Sequence, residues 1–157
     1  MDKAIAGFVV SRLKDRGKTV ATAESCTGGL LGKMLTDISG SSAVYPGGVI
    51  SYCNAVKHEL LGVSRTLLES FGAVSEPVAC AMAEGVRAQI KTDFAISTTG
   101  VAGPNRDERE NPVGLVYIAV SGVDQTVCRA LHLQGNREQI RMQAAEKALH
   151  LLLEILE

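Results

Sequence analysis

The sequence predicts an α/β protein, built as a three-layer α/β/α sandwich with a mixed, mostly parallel sheet of about five strands. Helical and β-prone segments alternate over the first two thirds of the 157 residues, which is typical of parallel strands joined by helices. A predicted hairpin adds antiparallel strands, and a long amphipathic helix comes last. Without an internal repeat or a linker, the chain is expected to form one domain over residues 1–157.

The first predicted elements are a helix, a strand, a tight turn and a second helix. Residues 2–16 carry apolar side chains at helical spacing, and Gly17 is a typical helix end. The β-prone run 19–23 leads into the turn 25–29. A helical pattern then continues to about Thr36.

The middle of the chain alternates again, and a polar residue that can cap a helix precedes each of its helices. In order, the predicted elements are a Ser- and Gly-rich loop over 38–48, a strand over 48–53, a helix over 55–61 capped by Asn54, a helix ending at Phe71 and capped by Ser64, and a helix that follows Ser75, has Pro77 in its first turn and ends at Ile90.

The last third contains the predicted hairpin and the final helix. In order, the elements are a strand over 94–99, a Gly-rich turn over 100–104, a charged loop over 105–111 that we expect to be solvated, strands over 115–120 and 126–133 around a turn with Gly122 and Asp124, and a helix that starts near Asn136 and buries Ile140, Ala144, Ala148 and Leu151.

Composition and charge narrow the possible functions. The formal net charge of −1 provides no broad attraction to nucleic acid, so we expect no nucleic-acid partner. No apolar run is long enough to span a membrane, so we expect no membrane association. The four cysteines are widely spaced, without a C-x-x-C pair or a secretory signal, which indicates reduced thiols in the cytoplasm. No cluster of His, Cys and carboxylates has metal-ligand spacing, so we assign no metal and no cofactor.

Four polar clusters fall where a sheet of this kind binds ligands, beyond the carboxyl ends of strands and at helix beginnings. They are residues 24–29, residues 52–54 with Lys57, residues 98–104 and residues 135–137.

Ser25 is the candidate nucleophile. It lies between a strand and a helix that begins with two glycines, so the backbone N–H groups of residues 26–29 can approach a developing oxyanion. The alternative is that Ser25 or Thr27 only caps the helix. Cys26 is a rival nucleophile, because a thiol at a helix beginning has a lowered pKa, although small buried cysteines are more usual. Glu24 is a candidate acid or metal ligand, but no other ligand stands at metal-site spacing.

A serine nucleophile needs a base, and the three histidines, His58, His132 and His150, are not well placed to serve. Lys57 is the candidate, because burial can lower the pKa of a lysine from about 10.4 toward 7 to 8. Tyr52 could relay or orient the proton, since its hydroxyl both donates and accepts. The alternatives are a solvated Lys57 and a core-packed Tyr52.

Two features predict a phosphorylated ligand. The segment from Thr99 to Pro104 can wrap an anion with its backbone amides, and Arg137 at a helix start can bind a phosphate through two hydrogen bonds. The alternatives are that residues 99–104 form an ordinary turn and that Arg137 is a surface residue without a ligand.

Five motifs run in order along nearly the whole chain: A-E-S-C-T-G-G at 23–29, Y-x-N-x-x-K at 52–57, G-A-V-S-E-P at 72–77, G-V-A-G-P at 100–104 and P-V-G at 112–114. In these motifs the chain resembles the CinA C-terminal domain family, which includes stand-alone nicotinamide-mononucleotide deamidases. The resemblance implies a mixed-sheet α/β/α fold, a homo-oligomer (dimer or higher) and no metal. It also implies conversion of nicotinamide mononucleotide to nicotinic acid mononucleotide and ammonia in pyridine-nucleotide recycling.

The resemblance further implies roles for single residues. The family's catalytic serine, tyrosine and lysine fall on Ser25, Tyr52 and Lys57. Its threonine or serine before G-x-A-G-P and the arginine of its G-D-R motif fall on Thr99 and Arg137, as ligand contacts.

The predicted function is an amidohydrolase in which Ser25 attacks the carboxamide carbon and Lys57 takes the proton. The alternatives are a non-catalytic nucleotide-binding or regulatory module of the same fold, and acyl transfer that depends on Cys26. Two departures from the family pattern bear on the phosphate end: the loop 105–111 lacks the usual glycines, and Asn136 replaces the aspartate of G-D-R. The predicted substrate contacts are Cys26, Thr27, Gly28, Gly29, Asn54, Thr99, Gly100, Val101, Ala102, Gly103 and Arg137.

Overall fold

The structure is a computed structural model that describes residues 3–157. Residue 2, the first residue of the predicted first helix, lies outside this range. The helices and strands are, in order, α1 (Lys3–Arg16), β1 (Val20–Glu24), α2 (Leu30–Thr36), a short 3-10 helix (Ser41–Ala43), β2 (Gly47–Ile50), α3 (Asn54–Leu61), α4 (Arg65–Phe71), α5 (Glu76–Ile90), β3 (Phe94–Gly100), β4 (Leu115–Ser121), β5 (Thr126–His132) and α6 (Arg137–Leu156).

The five strands form one sheet in the order β2-β1-β3-β4-β5. β1 pairs in parallel with β2 and β3, whereas β4 pairs antiparallel with β3 and β5. Four strands therefore run in one direction, and β4 runs against them. The predicted mixed sheet and the predicted hairpin are confirmed.

Helices cover both faces of the sheet, because side chains alternate along each strand. Val20 of β1 packs into a core with side chains of α1, α2 and α6, and its neighbour Ala21 packs into a second core with α3, α4 and α5. The predicted three layers are confirmed. The residues predicted for the buried face of the last helix are all buried: Ile140, Ala144, Ala148 and Leu151.

Of the three predicted helix caps, Ser64 is confirmed, Ser75 occupies the cap position of α5 without a capping side-chain hydrogen bond, and Asn54 is wrong. The Ser64 hydroxyl oxygen accepts a hydrogen bond of 3.0 Å from a backbone N–H in the first turn of α4, and Asn136 forms a reciprocal capping box with Gln139. Asn54, however, is itself the first residue of α3. The cap position belongs to Cys53, whose side chain makes no capping hydrogen bond.

The segment between β2 and α3 also differs from the prediction. β2 ends at Ile50, so residues 51–53 of the predicted strand lie outside the sheet. The physical reason is the Lys57 side chain, whose Nζ donates to the carbonyl oxygens of Ser51 and Tyr52. The Ser51 N–H still donates to the Glu24 carbonyl oxygen of β1, but the carbonyls of Ser51 and Tyr52 accept from this buried amine.

The longest helix is α6, with 20 residues. Neither it nor any other helix within residues 3–157 combines enough length with enough apolar side chains to cross a membrane.

Candidate active site

A cavity of about 920 Å³ opens at the carboxyl ends of β1, β2 and β3, which is a volume typical of small-molecule sites. Parallel strands bring the segments that follow them to this same edge of the sheet. Of the residues proposed from the sequence, the cavity wall includes Ser25, Cys26, Tyr52, Asn54, Lys57, Thr99, Gly100, Ala102 and Arg137. The wall does not include Thr27, Gly28, Gly29, Val101 and Gly103.

Ser25 and Lys57 meet in this cavity. Ser25 directly follows β1, and Lys57 lies in the first turn of α3. The Lys57 Nζ atom is 2.9 Å from the Ser25 Oγ atom. Lys57 is only 1% exposed, so the alternative of a solvated lysine is wrong.

Burial lowers the pKa of Lys57 from 10.5 to about 8, because an ammonium ion loses its hydration inside the protein. Nζ also donates to the carbonyl oxygens of Ser51 and Tyr52, at 2.7 and 3.2 Å. After losing one proton, the amine can keep both of these hydrogen bonds and direct its lone pair at Ser25. The arrangement suits proton transfer from a serine hydroxyl to a neutral lysine.

The side chain of Glu24 holds the turn after β1. The alternative that Ser25 or Thr27 caps α2 is wrong, because the cap position is Gly29, which has no side chain that could cap the helix. Oε1 of Glu24 accepts from the N–H groups of Gly29 and Leu31, at 3.2 and 2.9 Å. It also accepts from the Thr27 hydroxyl at 2.6 Å, while Oε2 accepts from Gly32 N–H at 3.0 Å. A carboxylate at the end of β1 reaches more of these donors than a short hydroxyl side chain can, so it takes the place of the cap.

The two glycines of this turn serve its backbone geometry. Gly28 has φ +57° and Gly29 has φ +106°, a region that residues with a Cβ rarely adopt. Gly28 N–H donates to the carbonyl oxygen of Ser25 at 3.1 Å, and Gly29 N–H donates to Glu24. Both N–H groups are therefore occupied, so the expected hydrogen bonds from Gly28 and Gly29 to an oxyanion are not available.

The segment after β3 is similarly engaged with the rest of the protein. Gly100 and Ala102 line the cavity, but Val101 N–H donates to a carbonyl oxygen of β4 at 2.9 Å. The Gly103 carbonyl oxygen accepts from Arg137 Nη1 at 2.5 Å. The N–H group of Val101 is therefore not free to bind an anion, contrary to the expectation from the sequence.

Tyr52 lines the cavity but is 60% exposed, so the alternative of a core-packed ring is wrong. Its hydroxyl oxygen accepts from Arg137 Nη2 at 3.1 Å. Its main-chain carbonyl oxygen, not its hydroxyl, lies near Ser25 Oγ and Lys57 Nζ, at 3.5 and 3.2 Å. The expected proton relay through the tyrosine hydroxyl therefore has no geometric support among the described residues.

Two threonines near the site have different surroundings. The Thr99 hydroxyl donates to the carbonyl oxygen of Ala73 at 2.8 Å, and its oxygen can still accept a hydrogen bond from a ligand in the cavity. The Thr27 hydroxyl is fully buried against Glu24 and Thr98. Thr27 therefore supports the turn instead of facing the cavity.

Cys26 is buried, and burial raises the pKa of its thiol to about 12. The positive charges of Lys57 and Arg141 lower this pKa, but they are outweighed. The expectation of a lowered thiol pKa is wrong, because desolvation dominates at this position. The thiol stays protonated and is a poor nucleophile.

The charged loop over residues 105–111 is largely exposed, as predicted, and its residues Asp107, Glu108 and Arg109 also line the cavity. The Arg109 guanidinium donates to the carbonyl oxygens of Glu69 and Ser70 at the end of α4. Positive charge is favourable at a helix carboxyl end, so this contact anchors the loop there. No sequence motif indicates a contact between residues 40 positions apart.

The cavity wall contains charged side chains of both signs, namely Arg65, Arg109, Arg137, Glu69, Asp107 and Glu108. Such a wall suits a ligand that itself carries both charges. Within residues 3–157, no three His, Cys, Asp or Glu side chains are arranged to hold a metal ion.

Glu24→Ala is expected to lower the free energy of unfolding by about 3 kcal/mol, because three backbone N–H groups, one buried and two partly buried, lose their acceptor. Urea unfolding followed by circular dichroism measures this loss. The matched variant Glu24→Gln keeps the shape and one acceptor oxygen, so its loss should be smaller. A loss below about 0.5 kcal/mol for Glu24→Ala, the size of an ordinary surface effect, would show that the carboxylate does not hold the turn.

Together, the fold and the site define a mixed-sheet α/β/α protein with a buried serine–lysine pair at its strand ends. The chain belongs to the CinA C-terminal domain family, whose sequence model matches residues 2–156. The family resemblance seen in the motifs is confirmed.

Known relatives are similar over most of this chain. A CinA-like protein of Syntrophomonas wolfei is 50% identical over 148 residues, and one of Anaeromyxobacter dehalogenans is 48% identical over 145 residues. These matches cover 94% and 92% of this chain, which spans only about 36% of the length of either relative.

Solved structures show the same fold. The competence/damage inducible protein CihA of Agrobacterium tumefaciens is 36% identical, with a TM-score of 0.95 over 99% of this chain and 95% of that protein. The competence damage-inducible protein A of Klebsiella pneumoniae is 33% identical, with a TM-score of 0.96 over 98% of this chain and 96% of that protein.

Proposed function

We propose that this chain is a nicotinamide-nucleotide amidohydrolase that converts nicotinamide mononucleotide to nicotinic acid mononucleotide and ammonia. The observation that carries the proposal is the distance of 2.9 Å between Lys57 Nζ and Ser25 Oγ in a buried position. A lysine with a pKa of about 8 is partly neutral at pH 7, so it can accept the serine proton. The names of the two solved structures refer to competence and damage, so the proposed chemistry rests on the geometry of the site and on the motif resemblance.

The reaction begins when Ser25 Oγ attacks the carboxamide carbon and Lys57 takes the hydroxyl proton. The C–N bond then breaks as Lys57 returns this proton to the nitrogen, and ammonia leaves while the acyl group stays on Ser25 as an ester. Water attacks the ester with Lys57 again as the base. The carboxylic acid leaves, and Ser25 regains its proton.

The cavity wall supports binding of this substrate, which carries a cationic pyridinium ring and an anionic phosphate. Arg137, with Arg65 beside the same cavity, provides guanidinium groups for the phosphate. The carboxylates of Glu69 and Asp107 complement the cationic ring. Binding of the remote phosphate then helps to orient the carboxamide against Ser25.

Ammonia release by the purified protein tests this proposal, with a glutamate dehydrogenase coupled assay and with mass spectrometry to identify the acid product. We expect turnover of nicotinamide mononucleotide. Nicotinamide riboside, which lacks the phosphate, should show a kcat/KM lower by about 10-fold or more. Tight binding of the mononucleotide without ammonia release, in protein with Ser25 and Lys57 intact, would favour the non-catalytic module.

A further inference from the structure

The guanidinium of Arg141 reaches the turn that carries Ser25. Arg141 lies in the second turn of α6, and its Nε and Nη2 atoms donate to the carbonyl oxygens of Cys26 and Thr27, both at 3.0 Å. A guanidinium presents its donors in a rigid plane, so two hydrogen bonds to neighbouring carbonyls orient both peptide groups. The helix α6 thereby holds the turn in place.

Most backbone N–H groups of this turn already have an acceptor. Those of Ser25, Gly28 and Gly29 donate within the protein. Those of Cys26 and Thr27 donate to no other residue in the described part of the chain. Because Cys26 lines the cavity and Thr27 is fully buried, the Cys26 N–H is the amide left available beside the Ser25 hydroxyl.

We propose that Arg141 is a positioning residue, which holds the carbonyl groups of Cys26 and Thr27 so that Cys26 N–H can bind the oxyanion formed after attack by Ser25. This inference rests on the proposed function. Cys26 N–H lies between two anchored groups, since Ser25 N–H is bound to β3 and the Cys26 carbonyl is bound to α6. Because Arg141 donates to the carbonyl oxygens of Cys26 and Thr27, it would affect the reaction by holding the backbone of the turn.

The positive charge of Arg141 also acts at this position. It lowers the pKa of the Cys26 thiol, although burial has the larger opposite effect. This contribution is the smallest of those that lower the pKa, so the positioning role rests on the two hydrogen bonds from Arg141 to the turn. The fit is close, because a Cβ on Gly28 would lie 3.0 Å from Arg141 Nη2.

Arg141→Ala is expected to lower kcat for ammonia release by about 10²-fold, the size of losing one oxyanion donor, with KM within about threefold of wild type. Added guanidinium ion, at concentrations too low to unfold the protein, should restore part of kcat by donating to both carbonyls. Arg141→Lys keeps the charge but lacks the planar pair of donors, so it should remain well below wild type.

Phosphonylation of Ser25 by an alkyl fluorophosphonate provides a readout that does not depend on the amide substrate. Ser25 Oγ bonds to phosphorus, the P–F bond breaks with release of fluoride, and Lys57 takes the proton. The phosphoryl oxygen occupies the place of the oxyanion. The labelling rate, followed by intact-protein mass spectrometry, should fall by about 10²-fold in Arg141→Ala and recover with guanidinium.

Arg87 offers a matched control, because its Nε also donates to a main-chain carbonyl, that of Asp93, at 3.1 Å, and it does not line the cavity. Arg87→Ala should lose stability and keep both rates. The inference is overturned if Arg141→Ala loses stability only, or if wild-type Ser25 is not labelled at all. Labelling of wild type without ammonia release would refute the proposed substrate, and the labelling rates alone would then decide the role of Arg141.

Discussion

Ser25→Ala is expected to lower kcat for ammonia release from nicotinamide mononucleotide by about 10²-fold or more, with a KM close to that of wild type. The hydroxyl that is lost forms the covalent bond to the substrate, and no neighbouring group can replace it. The Cys26 thiol has a pKa of about 12, so its thiolate is negligible at neutral pH. Steady-state kinetics with the ammonia assay measures the loss, and Ser42→Ala, at an exposed serine outside the cavity, is the matched control.

Lys57→Met should show a loss of kcat of the same size, about 10²-fold or more, because the serine proton then has no acceptor. The substitution fills a similar volume and removes a buried positive charge, so we expect the variant to remain folded in urea unfolding at neutral pH. Lys57→Arg should be equally inactive, since a guanidinium keeps its proton.

The opposite pattern would contradict the serine–lysine mechanism. A large loss of activity in Cys26→Ala, together with full activity in Ser25→Ala, would assign the nucleophile to the thiol. Activity in both Ser25→Ala and Lys57→Met would place the reaction elsewhere in the protein.

The pH dependence is the second large effect. We expect kcat/KM to rise about tenfold per pH unit below pH 8 and to level off above it, because only the neutral amine of Lys57 accepts a proton. Burial lowers the pKa of Lys57 from 10.5 to about 8, so about 10% of the amine is neutral at pH 7. An unperturbed lysine would be less than about 0.1% neutral at the same pH.

Initial rates at low substrate concentration measure this profile, since kcat/KM reports ionisation of the free enzyme. The substrate phosphate has a second pKa of about 6, so the profile is best recorded above about pH 6.5 at constant ionic strength. Circular dichroism at each pH verifies that the protein remains folded. An activity that falls between pH 7 and pH 9, or a midpoint near 10.5, would contradict a lowered lysine pKa.

Local chemistry explains why much of the fold could be predicted. Ser64 and Asn136 mark helix beginnings because their side chains bind the backbone of the next turn, a contact that spans only three residues. The predictions fail where a more distant group competes. β2 stops at Ile50 because the Lys57 amine takes the carbonyl groups beyond it, and Glu24 replaces the expected hydroxyl cap of α2.

By itself, the sequence determined the α/β class, the order of the elements and the family, because periodicity, capping residues and motifs are local properties. It also placed Ser25, Lys57 and Arg137 in segments that meet at one cavity. Only the tertiary structure decided the burial that lowers the pKa of Lys57, the pairing of Tyr52 with Arg137, and the contact of Arg141 with the Ser25 turn. These properties depend on groups that are far apart in the chain, 115 positions for Cys26 and Arg141, so no local spacing encodes them.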